Sequence, residues 1–222
     1  MSEPATTTPA LTVDVISDVV CPWCYIGQRQ LDEALARWRE RHPEAAAPSV
    51  TWHPFQLNPA MPAEGMSRPE YLTMKFGSPT GGPGYQRVVD AAAGAGLELH
   101  PERIRRQPST LRAHALMAAA EPGEQQHALA AALFRAYFID GTDVGDPAAL
   151  APIARGVGMS DDRIAAAGDA DALAETERID QDVRDSGVGG VPFFVIGRKF
   201  AVSGAQGADA LLAAFERAAG AG

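Results

Sequence analysis

The chain has 222 residues, 46% of them hydrophobic, and a formal net charge of −9; that is enough apolar material for one large core, or for one domain carrying an insertion. Its 19 basic residues form no stripe, which leaves nucleic acid a poor partner. No apolar run approaches the ~20 residues a membrane span needs, and a membrane partner is not expected.

The first ten residues (MSEPATTTPA) read as a disordered leader. The first basic residue is Arg29, and the run from Val13 to Val20 is broken by Asp14, Ser17 and Asp18, so neither region of a signal peptide is present and a cytoplasmic home is expected. Leu11, Val13 and Val15 alternate with Thr12 and Asp14, the pattern of a half-buried strand. Asp14 and Asp18 are candidates to relay a proton to a nearby thiol, although a charge close to a strand end is more simply solvated.

Directly after this strand stands Cys21-Pro22-Trp23-Cys24, which holds the only two cysteines of the chain. On the first turn of a helix this spacing puts both sulfurs on one face. The first meets the unpaired N–H groups and the positive dipole of the helix start, which favour a thiolate. Structural zinc would call for a second pair of ligands at matching spacing. The histidines, His42, His53, His100, His114 and His127, instead lie singly, so no metal is expected. A static disulfide across four residues closes too small a loop to stabilise much. Two inert buried thiols are the remaining alternative. Cysteines paired at this spacing straight after a strand favour a redox-active dithiol, with Cys21 and Cys24 as catalytic residues and Pro22 and Trp23 tuning the potential.

From Tyr25 to about Arg41 the chain reads as a helix with Leu31, Leu35 and Trp38 on one stripe, and residues 49–55 read as a second strand parallel to the first. The dithiol then sits at the carboxyl end of a βαβ strand, where open α/β sheets place their chemistry. Residues 58–187 look wholly helical. Pro69 opens a helix to Phe76, residues 77–84 form a Gly-rich loop, and a helix runs from Tyr85 to about Ala93. Further helices follow at residues 110–120 and from about Glu124, then behind the cap signals Asp146 and Ser160, and last over residues 169–186. The stretch from Asp140 to Asp185, with twelve acids against four bases, is most simply a solvated helical face. His53 and His114 read as hydrogen-bonded structural residues. Strand signal returns at residues 193–196 and 200–202 around the turn Gly197-Arg198-Lys199, and a helix over about 208–219 closes the chain.

This order predicts an α/β protein: a thioredoxin fold interrupted by a large all-helical insertion. Residues 11–60 and 188–220 are its two halves, and residues 61–187 are the insertion. A proline ahead of an apolar strand, partnered with an upstream Cys-x-x-Cys, is expected to be cis and to face the dithiol. The Val191-Pro192 pair would then bind substrate, with the Val191 backbone free to pair with an extended segment.

The chain resembles the DsbA-like thiol–disulfide oxidoreductases, most closely their cytoplasmic FrnE-like branch. The likeness rests on residues 17–27 (SDVVCPWCYIG), 54–59 (PFQLNP), 133–138 (LFRAYF), 190–196 (GVPFFVI) and 202–206 (VSGAQ); Ser109-Thr110 departs from the Asn-Thr expected there. The resemblance implies catalytic Cys21 and Cys24 beside a cis-Pro192. It also implies protein or small-molecule thiols and disulfides as partners, glutathione or a thioredoxin-type protein as the recycler, and no cofactor. Relatives with this inserted fold include glutathione-dependent transferases and 2-hydroxychromene-2-carboxylate isomerases, which carry serine at the position of Cys21. Such a transferase or isomerase, or a tailoring protein of secondary metabolism, is the rival reading.

Overall fold

The alternating apolar residues of the first strand build β1 (Thr12–Ser17), and the structure, a computed structural model, describes the chain from residue 11 to residue 220. The leader expected over residues 1–10 lies outside the described residues. Pro22 stands at the first helical position, where a missing N–H costs nothing, and starts α1 (Pro22–Arg41) immediately behind Cys21. Leu31, Ala34, Leu35 and Trp38 give α1 its buried stripe. The chain returns as β2 (Ser49–Pro54), parallel to β1 with Val15 beside Trp52 and Ser17 beside Pro54.

Two strands and a helix complete the sheet from the far end of the sequence: β5 (Phe193–Ile196), β6 (Phe200–Ser203) and α9 (Ala208–Gly220). The sheet order is β2-β1-β5-β6, with β5 antiparallel to β1 and β6 antiparallel to β5. The turn between β5 and β6 puts Gly197 and Arg198 at φ +58° and +56°, a left-handed conformation that glycine takes freely. α9 lies along α1, and Trp38 meets Phe215 edge-on at 6.1 Å between ring centroids. This is the mixed α/β thioredoxin fold expected.

Between β2 and β5 run α2 (Arg68–Phe76), α3 (Gly82–Gly94), α4 (Leu111–Ala119), α5 (Glu124–Arg135), α6 (Pro147–Gly156), α7 (Asp161–Ala166) and α8 (Ala170–Asp185). Ser160 and Asp146 accept N–H bonds at the starts of α7 and α6, as N-caps do. The span also carries one short antiparallel pair, β3 (Met66–Ser67) with β4 (Arg106–Gln107). Two-residue strands leave no alternation to read. α3 begins three residues earlier than its apolar pattern, because Pro83 suits a first helical turn as well as it suits a loop. α5 runs on into a turn of π-helix, Ala136–Asp140.

The helical span packs on the open side of β2, where α5 and α8 cover it. The buried Gln126 amide accepts the Trp52 N–H at 2.8 Å and donates to the Trp52 carbonyl at 3.4 Å, satisfying backbone groups of an edge strand that would otherwise be unpaired, and it also donates to the Met117 carbonyl of α4 at 3.0 Å. One continuous apolar cluster runs from Val13, Val15 and Phe194 of the sheet to Leu129, Leu133 and Phe138 of the helices. The acidic face of α8 has one exception, Asp180, which is 3% exposed. Its carboxylate accepts the Gln56 N–H at 2.9 Å and pairs with Arg184 at 3.2 Å, while the Arg184 guanidinium lies 4.1 Å from the Phe55 ring centroid and donates to the Gln56 carbonyl.

Asp180→Ala leaves the Gln56 N–H without an acceptor and Arg184 without its ion pair. It is expected to lower unfolding stability by about 2–3 kcal/mol, the scale of a hydrogen bond to a charged group. Urea denaturation would show a lower midpoint at unchanged slope; a midpoint equal to that of the wild type would contradict this anchoring.

Candidate active site

β1 ends at Ser17 and α1 begins at Pro22, so four residues turn the chain from strand to helix. The Cys21 N–H bonds the Asp18 carbonyl at 3.0 Å, and the Cys21 carbonyl takes the N–H groups of Cys24 at 3.0 Å and Tyr25 at 3.2 Å. Cys21 is thereby the N-cap of α1, with φ −88° and ψ 115°, and its side chain makes no capping bond. Its sulfur is left at the helix start, where the first N–H groups of α1 have no partner within the helix. Cys24 lies one turn in, on the buried face.

Both cysteines are buried, Cys21 being 3% and Cys24 1% exposed. Burial pushes the Cys24 thiol well above the ordinary cysteine range, and the Cys21 sulfur beside it pushes the same way. The Ser17 hydroxyl and the Asp18 backbone N–H pull it back by bonding its charged form. Trp23 projects outward, 41% exposed, at the rim of the pair.

Because β5 runs antiparallel to β1 with Phe193 opposite Ile16, the residues just before β5 arrive beside the residues just after β1. That places Val191 and Pro192 at the dithiol. The Val191–Pro192 bond is cis, and the Val191 carbonyl accepts from Cys21 Sγ at 3.9 Å. Pro192 rests on the first turns of α1 at Gly27, where a Cβ would lie 2.9 Å from the proline Cγ. Only a glycine lets the loop sit this close to the helix. The Pro192 carbonyl in turn takes the Gly204 N–H at 2.8 Å, inside the 202–206 motif.

Other sequence motifs converge here as supports. Tyr25 stacks on Phe134 at 5.3 Å and on Phe138 at 5.7 Å, so the 133–138 segment grips the residue that follows Cys24. The 54–59 segment is tied to the turn through Leu57, whose N–H donates to Asp18 Oδ2 at 2.8 Å.

The structure corrects the reading of Asp18 as a solvated charge. It is 1% exposed, with Oδ1 3.4 Å from Nε2 of the equally buried His114. His114 Nε2 finds no aligned hydrogen bond, so this histidine is not the fully satisfied structural residue expected, whereas His53 bonds Asp14 at 2.8 Å as expected. Burial of this kind is a tertiary property that a charge beside a strand end does not announce. Ser17 was overlooked as a site residue, although it stands within the 17–27 motif. Among the described residues no group of three His, Cys, Asp or Glu could hold a metal ion, and no helix is long and apolar enough to cross a membrane.

The family described as DSBA-like thioredoxin domain matches residues 12–216. Among solved structures, the chain is similar to a probable DsbA oxidoreductase from Streptomyces coelicolor, at 30% identity and TM-score 0.78, covering 95% of this chain and 90% of that one. A 2-hydroxychromene-2-carboxylate isomerase shares the fold at TM-score 0.67 and 14% identity, over 93% of this chain and 95% of the other. So does the cytosolic disulfide reductase DsbM from Pseudomonas aeruginosa, solved with glutathione, at TM-score 0.63 and 16% identity, over 94% and 96% of the two chains.

A raised Cys24 pKa keeps that sulfur protonated, and so unreactive, at neutral pH, and frees it only as pH climbs past the ordinary cysteine value. Iodoacetamide at neutral pH is expected to modify Cys21 and to spare Cys24, with Cys24 labelled only at strongly alkaline pH or on unfolding. Peptide mapping by mass spectrometry reads this directly, and equal labelling of both at neutral pH would contradict it.

Proposed function

The chain belongs to the DsbA-like thioredoxin-domain family, and from that premise we propose that it is a thiol–disulfide oxidoreductase working through the Cys21-Pro22-Trp23-Cys24 dithiol. The observation that carries this reading is the asymmetry of the two sulfurs: Cys21 caps the helix under the Val191 carbonyl, whereas Cys24 is held back as a buried thiol. Cys21 attacks a substrate disulfide, one substrate sulfur leaves as a thiolate, and a mixed disulfide forms. Cys24 then attacks Cys21, releases the second substrate thiol and leaves a Cys21–Cys24 disulfide. Run in reverse, the same steps oxidise a dithiol substrate.

Val191 and Pro192 position the partner. An extended substrate segment pairs with the Val191 backbone, which brings its disulfide over Cys21. Trp23 and Pro22, between the sulfurs, set the potential of the couple. The helices from α2 to α8, residues 61–187 with their sheet contacts, form a cap that selects partners. Substrates are protein or small-molecule disulfides. Glutathione, the ligand solved with DsbM, is the reductant to test first, and a thioredoxin-type protein is the alternative recycler. The cytoplasm, with its reducing thiol pool, is the setting that suits a reductase.

A glutathione-dependent isomerase of the same fold is the competing chemistry. The complete pair of buried thiols on the first turn of α1 favours disulfide exchange, since an isomerase has no use for a resolving sulfur.

Two measurements test this. Cys24→Ser is expected to accumulate mixed disulfides with cellular thiols on non-reducing gels, and Cys21→Ser to accumulate none; both variants should lose insulin reduction. Equal trapping by the two would overturn the assigned roles, and glutathione-dependent isomerisation without insulin reduction would favour the rival. Gly27→Ala should push Pro192 away from α1 and raise KM for insulin several-fold, the scale of a local overpacking strain of about 1 kcal/mol. An unchanged KM would count against substrate positioning by the Val191-Pro192 loop.

A further inference from the structure

The 202–206 motif meets the Val191-Pro192 loop through its backbone. β6 ends at Ser203 and α9 begins at Ala208, so residues 204–207 turn the chain from strand to helix. The two glycines that bound this turn each donate an N–H out of it, Gly204 to the Pro192 carbonyl at 2.8 Å and Gly207 to Gln30 Oε1 at 3.0 Å. Between them the turn is closed on itself. The Gln206 N–H bonds the Gly204 carbonyl at 3.1 Å, and the Gln206 side-chain amide bonds the Ser203 carbonyl at 3.0 Å.

Helix α1 holds the other end of this link. Gly27 and Gln30 are three residues apart and so share a face of the helix. On that face Gly27 takes the Pro192 ring, and Gln30, one turn on, takes the Gly207 N–H. Pro192 is therefore held by α1 twice: its ring directly, and its carbonyl through the turn. Apolar contact has no direction of its own, whereas a hydrogen bond fixes both distance and angle. Joining α9 to α1 is a separate task that other residues perform, Trp38 edge-on to Phe215 at 6.1 Å and Arg37 paired with Asp209 at 2.6 Å.

We propose that Gln30 is a positioning residue for substrate: by holding the turn at residues 204–207 against α1, it fixes the Val191 backbone over Cys21. The proposal rests on the reading of the Val191-Pro192 loop as the place where an extended substrate segment pairs. That pairing needs backbone groups set in direction as well as in distance, because strand addition is made of aligned hydrogen bonds. Gln30 touches neither sulfur's chemistry. It acts on how well a protein disulfide is presented, and its loss falls on binding of substrate while the exchange itself proceeds.

Insulin reduction by the full chain, recycled with dithiothreitol, tests this together with amide hydrogen exchange. Gln30→Met keeps the length of the side chain and loses the acceptor. It is expected to raise KM about three- to tenfold at unchanged kcat, the scale of one hydrogen bond between neutral groups, and to speed exchange of the Gly204 N–H as well as that of Gly207. Gln30→Glu restores an acceptor at the start of α9, where a negative charge is favoured, and should return both KM and Gly204 exchange to wild-type values. A wild-type KM in Gln30→Met would overturn the proposal, and so would an equal rise in KM in the two variants. Faster exchange at Gly207 with Gly204 still protected, or a Gln30→Met chain that does not fold, would overturn it too, by showing that Gln30 only anchors α9. A wild-type chain that reduces no insulin would instead contradict the oxidoreductase reading, and the proposal would fall with it.

Discussion

The Asp18 carboxylate accepts the Leu57 N–H at 2.8 Å, and through that bond the turn carrying the dithiol is fastened to the chain leaving β2. Strand β1 ends one residue earlier and α1 starts four residues later, so there is no slack between them. A buried carboxylate is expensive unless its oxygens are bonded. Here each oxygen takes a backbone N–H, Oδ2 that of Leu57 at 2.8 Å and Oδ1 that of Val20 at 3.5 Å, and the His114 ring lies 3.4 Å from Oδ1 without an aligned bond. The turn cannot rearrange without exposing a charge to an apolar core, and both sulfurs inherit that rigidity.

Rigidity here serves an asymmetry. Two chemically identical thiols become different because one caps a helix and the other lies a turn inside it. Burial holds Cys24 protonated, and the Cys21 sulfur at its side adds to the effect. Two further contacts keep the geometry in register: Gly27 admits the Pro192 ring to the surface of α1, and Tyr25 stacks against both Phe134 and Phe138. The helices inserted in the fold are thus part of the site's support. Their hold on Tyr25, on Trp52 through Gln126 and on Gln56 through Asp180 reaches the dithiol turn from three directions.

Much of this was legible in the sequence because it depends on local pattern. Period-two alternation marked β1, the helical stripe of Leu31, Leu35 and Trp38 marked α1, and Cys-x-x-Cys behind a strand marked where to look. Pro192 was legible for a different reason: a proline before an apolar strand, read together with the dithiol, left few places in the sheet for it to go. What escaped is what burial decides. Asp18 and Asp180 look like any other exposed carboxylates until tertiary packing closes over them. The strands β3 and β4 have two residues each and so no period at all. Ser17 gives no signal of its own in the sequence, because the burial of its hydroxyl is decided by tertiary packing.

The account stands on a reversible Cys21–Cys24 disulfide, and its most direct test is equilibration of the purified chain in buffers of graded glutathione and glutathione disulfide, quenched in acid and read by intact mass. A single transition from dithiol to internal disulfide, losing two hydrogens and following a two-electron slope of about 30 mV per tenfold change, is the result predicted. A chain that remains dithiol to the oxidising limit, or that ends with glutathione on Cys21 while Cys24 stays free, would contradict it.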